Sequence, residues 1–200
     1  MPLNIEGTPY PLLRHLTLPV CAITTSANGR RNGFIVNSAQ RASLVPSVPR
    51  ISLYISKPNF SHDLAMASGV LGVHLLRADQ WDVIRALGLR SARDVPDKLA
   101  DLAVRTGATG CPMLADVRAA FECRIINAMD AGGATFVLAD VVEMTEGTGD
   151  DVLTSEHFRR HMPDDVRRDY EAGLARAQQI LEPLSRDISR EPWRGPVADP

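Results

Sequence analysis

Two polar runs flank one apolar strand between Gly33 and Asp63. The first is Asn37-Ser38-Ala39-Gln40 with Ser43 close behind, and the second is Ser56-Lys57-Pro58-Asn59-Phe60-Ser61-His62. Runs of this kind leave backbone N–H groups unpaired and add hydroxyl and amide donors, so they converge hydrogen bonds on one place with few charges. Ser61 is placed to N-cap a short helix over 62–68 that Gly69 ends, and a helix N-terminus beside hydroxyls and Lys57 makes a phosphate site. One lysine among neutral donors suffices, because each charge-assisted hydrogen bond contributes about 1.5–3 kcal/mol. The ligand that suits both runs is an anion carrying a flat aromatic system, such as flavin mononucleotide. The plain alternatives are a loop that caps its own backbone and a capped helix with a solvated lysine.

Other residue types support less. Phe60 reads as an anchor for its loop or as a contact at the ring's edge. His62 suits either the phosphate or a helix cap, and Arg41 either an anionic ligand or the exposed surface. His74, alternating within VLGVHLL, reads as a hydrogen-bonded sheet residue, and Trp81 as core. His157 and His161 stand four apart without a third ligand nearby, so no metal site is expected.

The elements that must position these groups follow from periodicity. Residues 18–25 and 33–38 read as a hairpin closed by Asn28-Gly29, and Arg50 to Ser56 alternates as a half-buried strand. Residues 70–76, 118–129 and 135–145 are further strands. Asp79 is expected to cap a helix that Gly88 closes, and 97–106 to form another helix after Pro96. Val166, Tyr170, Leu174, Ala177 and Leu181 set a narrow apolar stripe on a helix over 163–182, with Pro183 just beyond its end. That stripe must lie either on its own subunit or on a partner.

Composition bounds the class. The 200 residues are 44% hydrophobic and 23% charged, with a formal charge of -2, as expected of one globular domain with an extension. The charge gives no electrostatic case for nucleic acid, and no apolar run is long enough to cross a bilayer. Three cysteines without metal-type spacing suggest a reduced, cytoplasmic protein with buried thiols. There is no Gly-x-Ser-x-Gly nucleophile turn, phosphate-binding Walker loop or dinucleotide fingerprint.

Over about residues 15–145 the chain resembles the flavin reductase-like FMN-binding split barrels. The resemblance rests on Thr24-Thr25, Gly33, Asn37-Ser38, Ser43, Pro46, Ile51 to Ile55, Ser56-Lys57 and Ser61-His62, in that order and spacing. It implies a mainly β fold, a split barrel with peripheral helices, divided as a lead-in (1–14), the FMN-binding barrel (15–148) and a C-terminal helical extension (149–200). It also implies an FMN-dependent oxidoreductase, FAD being the alternative flavin, with cofactor-binding residues Asn37, Ser38, Ala39, Gln40, Ser43, Ser56, Lys57, Phe60, Ser61 and His62. NAD(P)H is the implied electron donor, a partner monooxygenase or other electron acceptor the implied recipient, and a homodimer the implied assembly. Two departures bear on activity: Gly132-Gly133-Ala134-Thr135 replaces the family's Gly-Asp-His, and Ile35 stands where Thr or Ser is common. They keep a non-catalytic flavin-binding or electron-transfer protein open as a second reading. A relative binding haem or another planar cofactor is the third.

Overall fold

Asn28 and Gly29 both adopt positive φ (51° and 71°), the conformation an Asn-Gly hairpin turn requires. They join β1 (Cys21–Ala27) to β2 (Arg30–Val36) in antiparallel register, with Thr24 opposite Gly33. The computed structural model describes residues 16, 18–149 and 151–196; the expected lead-in over 1–14 lies outside them. Five more strands complete the sheet: β3 (Gln40–Arg41), β4 (Arg50–Ser56), β5 (Val70–Leu75), β8 (Ala119–Asp130) and β9 (Ala134–Glu146). The order is β2-β1-β5-β8-β9-β4-β3, and β6 (Val104–Thr106) with β7 (Pro112–Leu114) forms a separate hairpin. β2 and β4 approach one another without a shared ladder, so the sheet curls back on itself.

Strand periodicity divides the apolar residues between two cores. On β1, Cys21 and Ile23 join Phe34, Leu53, Ile55, Leu71, Val73 and Val137 on one face, whereas Ala22 and the preceding Val20 join Ile84, Leu87, Leu99, Met113, Leu153 and Phe158 on the other. A strand covered on both faces shows no alternation of polar and apolar residues, which is why LPVCAI reads as a continuous apolar run.

The helices are α1 (Phe60–Ser68), α2 (Trp81–Val83, running on as a π-helical turn over Ile84–Gly88), α3 (Ser155–His161) and α4 (Asp164–Leu184). Four expectations need correction. α1 starts before Ser61: Asn59 is its N-cap and makes no side-chain cap bond, while the Ser61 hydroxyl turns inward to Asn32. Gln80 rather than Asp79 precedes α2, because the Asp79 carboxylate faces Arg77. No helix follows Pro96. Asp97 accepts from the Leu99 amide and from Arg31, closing a turn, and the chain then enters β6; a side chain bonding its own backbone competes with helix formation. Pro183 lies inside the last turn of α4 rather than beyond it, with the Ser185 N–H closing that turn on the Leu181 carbonyl.

The C-terminal stretch is tied into the fold. Val20 donates to Leu153 O, and Ser155 N–H to Leu18 O. α4 lies on its own subunit: Val166 is fully buried, Tyr170 meets Phe158 edge-on at 5.3 Å, and Asp165 pairs with Arg85 at 2.7 Å. Its far end rests on the β8–β9 turn, where a Cβ on Gly133 would come within 2.8 Å of Leu181 Cδ2. Among the described residues no helix is long and apolar enough to cross a membrane.

Candidate functional site

α4 does not close down on the sheet along its whole length. Between its two ends and the strands is a cavity of about 480 Å³, within the size range of small-molecule and cofactor sites. One wall is the end of β2, from Phe34 to Asn37, with Ser56 after β4. Asn59, Phe60 and Ser61 at the start of α1 form one side, the loop from Gly88 to Arg93 the rim, and Gly173, Arg176, Ala177 and Ile180 of α4 the opposite wall.

Local structure accounts for each group. Asn32 on β2 is buried; its Nδ2 donates to Ser61 Oγ at 2.9 Å and its Oδ1 accepts from the Gly33 amide at 2.8 Å. The Ser61 hydroxyl, having accepted, keeps its own hydrogen as a donor. Arg30 lies over the Phe60 ring, 4.2 Å from its centroid, a cation–π contact that holds the first turn of α1 in place. Lys98 is buried, and its Nζ donates to Leu87 O at 2.6 Å; burial lowers its pKa to about 8. Arg93 Nη2 donates to Pro58 O at 3.1 Å, bringing the rim loop against the start of α1.

The ten residues singled out from the sequence do not all converge. Asn37, Ser56, Phe60 and Ser61 line the cavity. Ser38 Oγ accepts from the Tyr54 amide, Ala39 is buried in the core beneath, and Gln40 pairs with Ser52 at the sheet edge. The Ser43 hydroxyl closes a local turn on Val45. Lys57 Nζ points to Asp130 Oδ1 at 2.7 Å, and His62 Nε2 meets Thr135 Oγ1 at 2.9 Å. Both thus face the β8–β9 turn.

Sequence reasoning missed Asn32, Arg90, Ser91, Arg93, Lys98 and Arg176, all of which line the cavity. A signal was present in Arg90-Ser91-Ala92-Arg93, two cations with a hydroxyl between them. α4 carried another, since Gly173, Arg176 and Ile180 form a stripe beside the apolar one. The lining holds four arginines and one lysine and no carboxylate, together with apolar Phe34, Leu87 and Ile180. An anion joined to a planar ring fits that mixture of fixed positive charge, neutral donors and flat apolar surface.

Elsewhere, His74 is fully buried, with Nδ1 on Ala22 O and Nε2 accepting from the Leu114 amide. His157 and His161 stack with ring centroids 4.2 Å apart, and no cluster of three metal-ligating side chains occurs among the described residues.

Comparison with known proteins identifies the family. Residues 13–164 match the flavin reductase like domain. An FMN reductase (NADH) RutF of Ancylobacter novellus is 28% identical over 149 residues, covering 74% of this chain and 80% of that protein. A RutF 1 of Methylorubrum extorquens, also an FMN reductase (NADH), is 29% identical over 97% of this chain and 92% of its own length. The crystal structure of nitrilotriacetate monooxygenase component B from Mycobacterium thermoresistibile superposes with a TM-score of 0.62 at 26% identity, covering 71% of this chain and 77% of that one. The chain therefore belongs to the flavin reductase like family, and its class, a flavin-dependent oxidoreductase on a mainly antiparallel β frame, follows from that membership.

Proposed function

We propose that the cavity between the sheet and α4 holds FMN, that NADH or NADPH reduces it there, and that the reduced flavin serves a partner monooxygenase or another acceptor. One observation carries this reading: a cofactor-sized cavity lined by neutral donors and five cations without a carboxylate. The donor and acceptor assignments are supported by the names of the RutF and monooxygenase-component relatives.

When bound, the flavin supplies the hydride and electron chemistry. The chain supplies binding and exclusion of water. Ile180 offers exposed apolar surface to the ring, while Asn37 and Ser56 offer hydrogen bonds to the ring's polar edge. Asn59, the Ser61 hydroxyl and the N-terminal end of α1 receive the phosphate, where the helix dipole favours an anion. The cationic lining stabilises negative charge as it develops on a reduced ring. Titrating the purified protein with FMN while following flavin fluorescence, then measuring NADH and NADPH oxidation with FMN present, tests this reading. Saturable binding and turnover above background support it, and absence of FMN binding overturns it.

A second reading, a non-catalytic flavin carrier, is favoured by the stretch Gly132-Gly133-Ala134-Thr135, which lacks the family's Asp and His and whose two glycines are overlain by the last turn of α4. FMN binding with background oxidation only would select it. The assembly we propose is a homodimer on the exposed apolar strip formed by Tyr54, Ile126, Met129, Val142 and Met144 of β4, β8 and β9. Light scattering at micromolar concentration checks it, a monomer being the contrary result. Three free, buried cysteines support a reducing, cytoplasmic setting.

A further inference from the structure

We propose that the C-terminal half of α4 is a lid over the cavity, pivoting at Gly173 and latched by the chain from Ser185 to Pro196. This rests on the reading of the cavity as the flavin site and adds how a ligand enters and leaves it.

The two halves of α4 are held differently. The first carries the anchors: the Asp165–Arg85 ion pair, the buried Val166, and Tyr170 against Phe158. The second buries no side chain, and its Leu174, Ile180 and Leu184 are 40%, 47% and 42% exposed. Few buried apolar contacts mark a segment that opens locally at low cost. Gly173 stands between the halves. Neither a positive φ nor a close neighbour calls for it, since a Cβ there meets nothing within 4 Å. Packing does not require glycine at this position, and in a helix interior glycine loosens the backbone.

The far end is held from outside the helix. Gly133 admits Leu181 at the β8–β9 turn, and the Ser185 carbonyl oxygen lies 2.8 Å from where a Cβ on Gly132 would stand. Beyond Ser185 the chain crosses that turn, and the Ser189 amide donates to Asp130 Oδ2 at 3.2 Å. Trp193 then packs, half-buried, against the core that holds Leu53, Leu71 and Val137. Pro196 sits over Gly69 at the end of α1, its Cγ 2.7 Å from the place of a Cβ. The start of α1 forms one side of the cavity, so this strap ties the lid to the helix it closes beside. A surface hydrogen bond and a half-buried tryptophan suit a latch that releases.

Stopped-flow fluorescence of FMN association and dissociation tests the gate, with hydrogen exchange of the ligand-free protein over Leu174 to Leu184 as an independent readout. A gate scales both rates together and leaves their ratio, whereas a lost ligand contact acts mainly on dissociation. Trp193→Ala should raise both rates about tenfold and speed exchange over 174–184. Ser189→Pro, which removes the amide that Asp130 accepts, should act in the same direction. Gly173→Ala should lower both rates about fivefold and slow exchange there, because it stiffens the pivot. Where Trp193→Ala does not fold, the other two variants carry the test. Unchanged rates and exchange in Ser189→Pro and Gly173→Ala overturn the proposal, as does a change confined to dissociation. Protection over 174–184 that falls on dilution overturns it too, placing a partner chain on α4. A protein that binds no FMN, yet whose exchange over 174–184 shifts as stated, would sink the flavin reading and leave the lid standing.

Discussion

Asn32 donates to Ser61 across 2.9 Å of buried space, tying β2 to the first turn of α1 although the two residues lie 29 apart in sequence. The bond fixes where the start of α1 meets the cavity. Removing either partner leaves the other polar group buried and unsatisfied, at a cost of about 1–3 kcal/mol. Asn32→Ala should therefore lower the melting temperature by several degrees, about 2–4 °C per kcal/mol for a domain of this size, as read by calorimetry. An unchanged melting temperature would show that the pair contributes nothing net.

Ser61→Ala should weaken FMN binding about tenfold, whereas Lys57→Ala should leave it within twofold. Lys57 directs its charge to Asp130 at the β8–β9 turn, where both side chains are partly exposed, so its removal should cost little stability. Fluorescence titration of the two single variants separates the roles. A tenfold loss with Lys57→Ala would mean that the ion pair opens to receive the phosphate.

Lys98 gives the cavity a pH dependence. Burial lowers its pKa from 10.5 to about 8. A bound anion favours the protonated lysine, so affinity for FMN should fall as pH rises from 7 to 9, a range in which the phosphate is already a dianion. Lys98→Met should bind FMN more weakly at pH 7 and lose that slope. The sign for stability is opposite: the folded chain holds this proton less tightly than the unfolded chain, so stability gains as pH rises from about 8 towards 10.5.

Acid should loosen the frame through His74 and Glu122. Burial, outweighing the bond to Ala22 O, lowers the His74 pKa to about 4. The folded chain therefore keeps this imidazole neutral, and its contribution is complete above 6.5 and lost as pH falls towards 4. Burial pushes the Glu122 carboxyl up, but hydrogen bonds from the Thr109 hydroxyl and amide and from the Ala108 amide outweigh it, so its pKa falls below 4.5. A depressed carboxyl contributes stability above its unfolded value and loses it as pH drops through the folded one. Glu122→Gln should unfold at lower denaturant than the parent at pH 7, and the gap should shrink below pH 4.5. A gap independent of pH would contradict the assignment.

The sheet was largely legible in the chain because its signals are local. Asn28-Gly29 specifies its turn through positive φ, and the long alternating runs of β8 and β9 specify their register against a core. Asn37, Ser56, Phe60 and Ser61 could be found because they are near neighbours of those strands. Lys57 could not be placed, since its partner Asp130 lies 73 residues away and many positions could supply a carboxylate. Arg176 and Lys98 were equally hidden. A helix pattern tells which residues are apolar, but not which distant loop its polar side faces.

α4 is fastened at both ends, by the Asp165–Arg85 ion pair and by the close rest on Gly133, while Val166 is its one buried side chain. A span anchored in this way can exchange the residues of its middle without disturbing the foundations beneath. Substitutions at Gly173 or Ile180, in the middle of that span, should accordingly change what the cavity accepts with little shift in melting temperature.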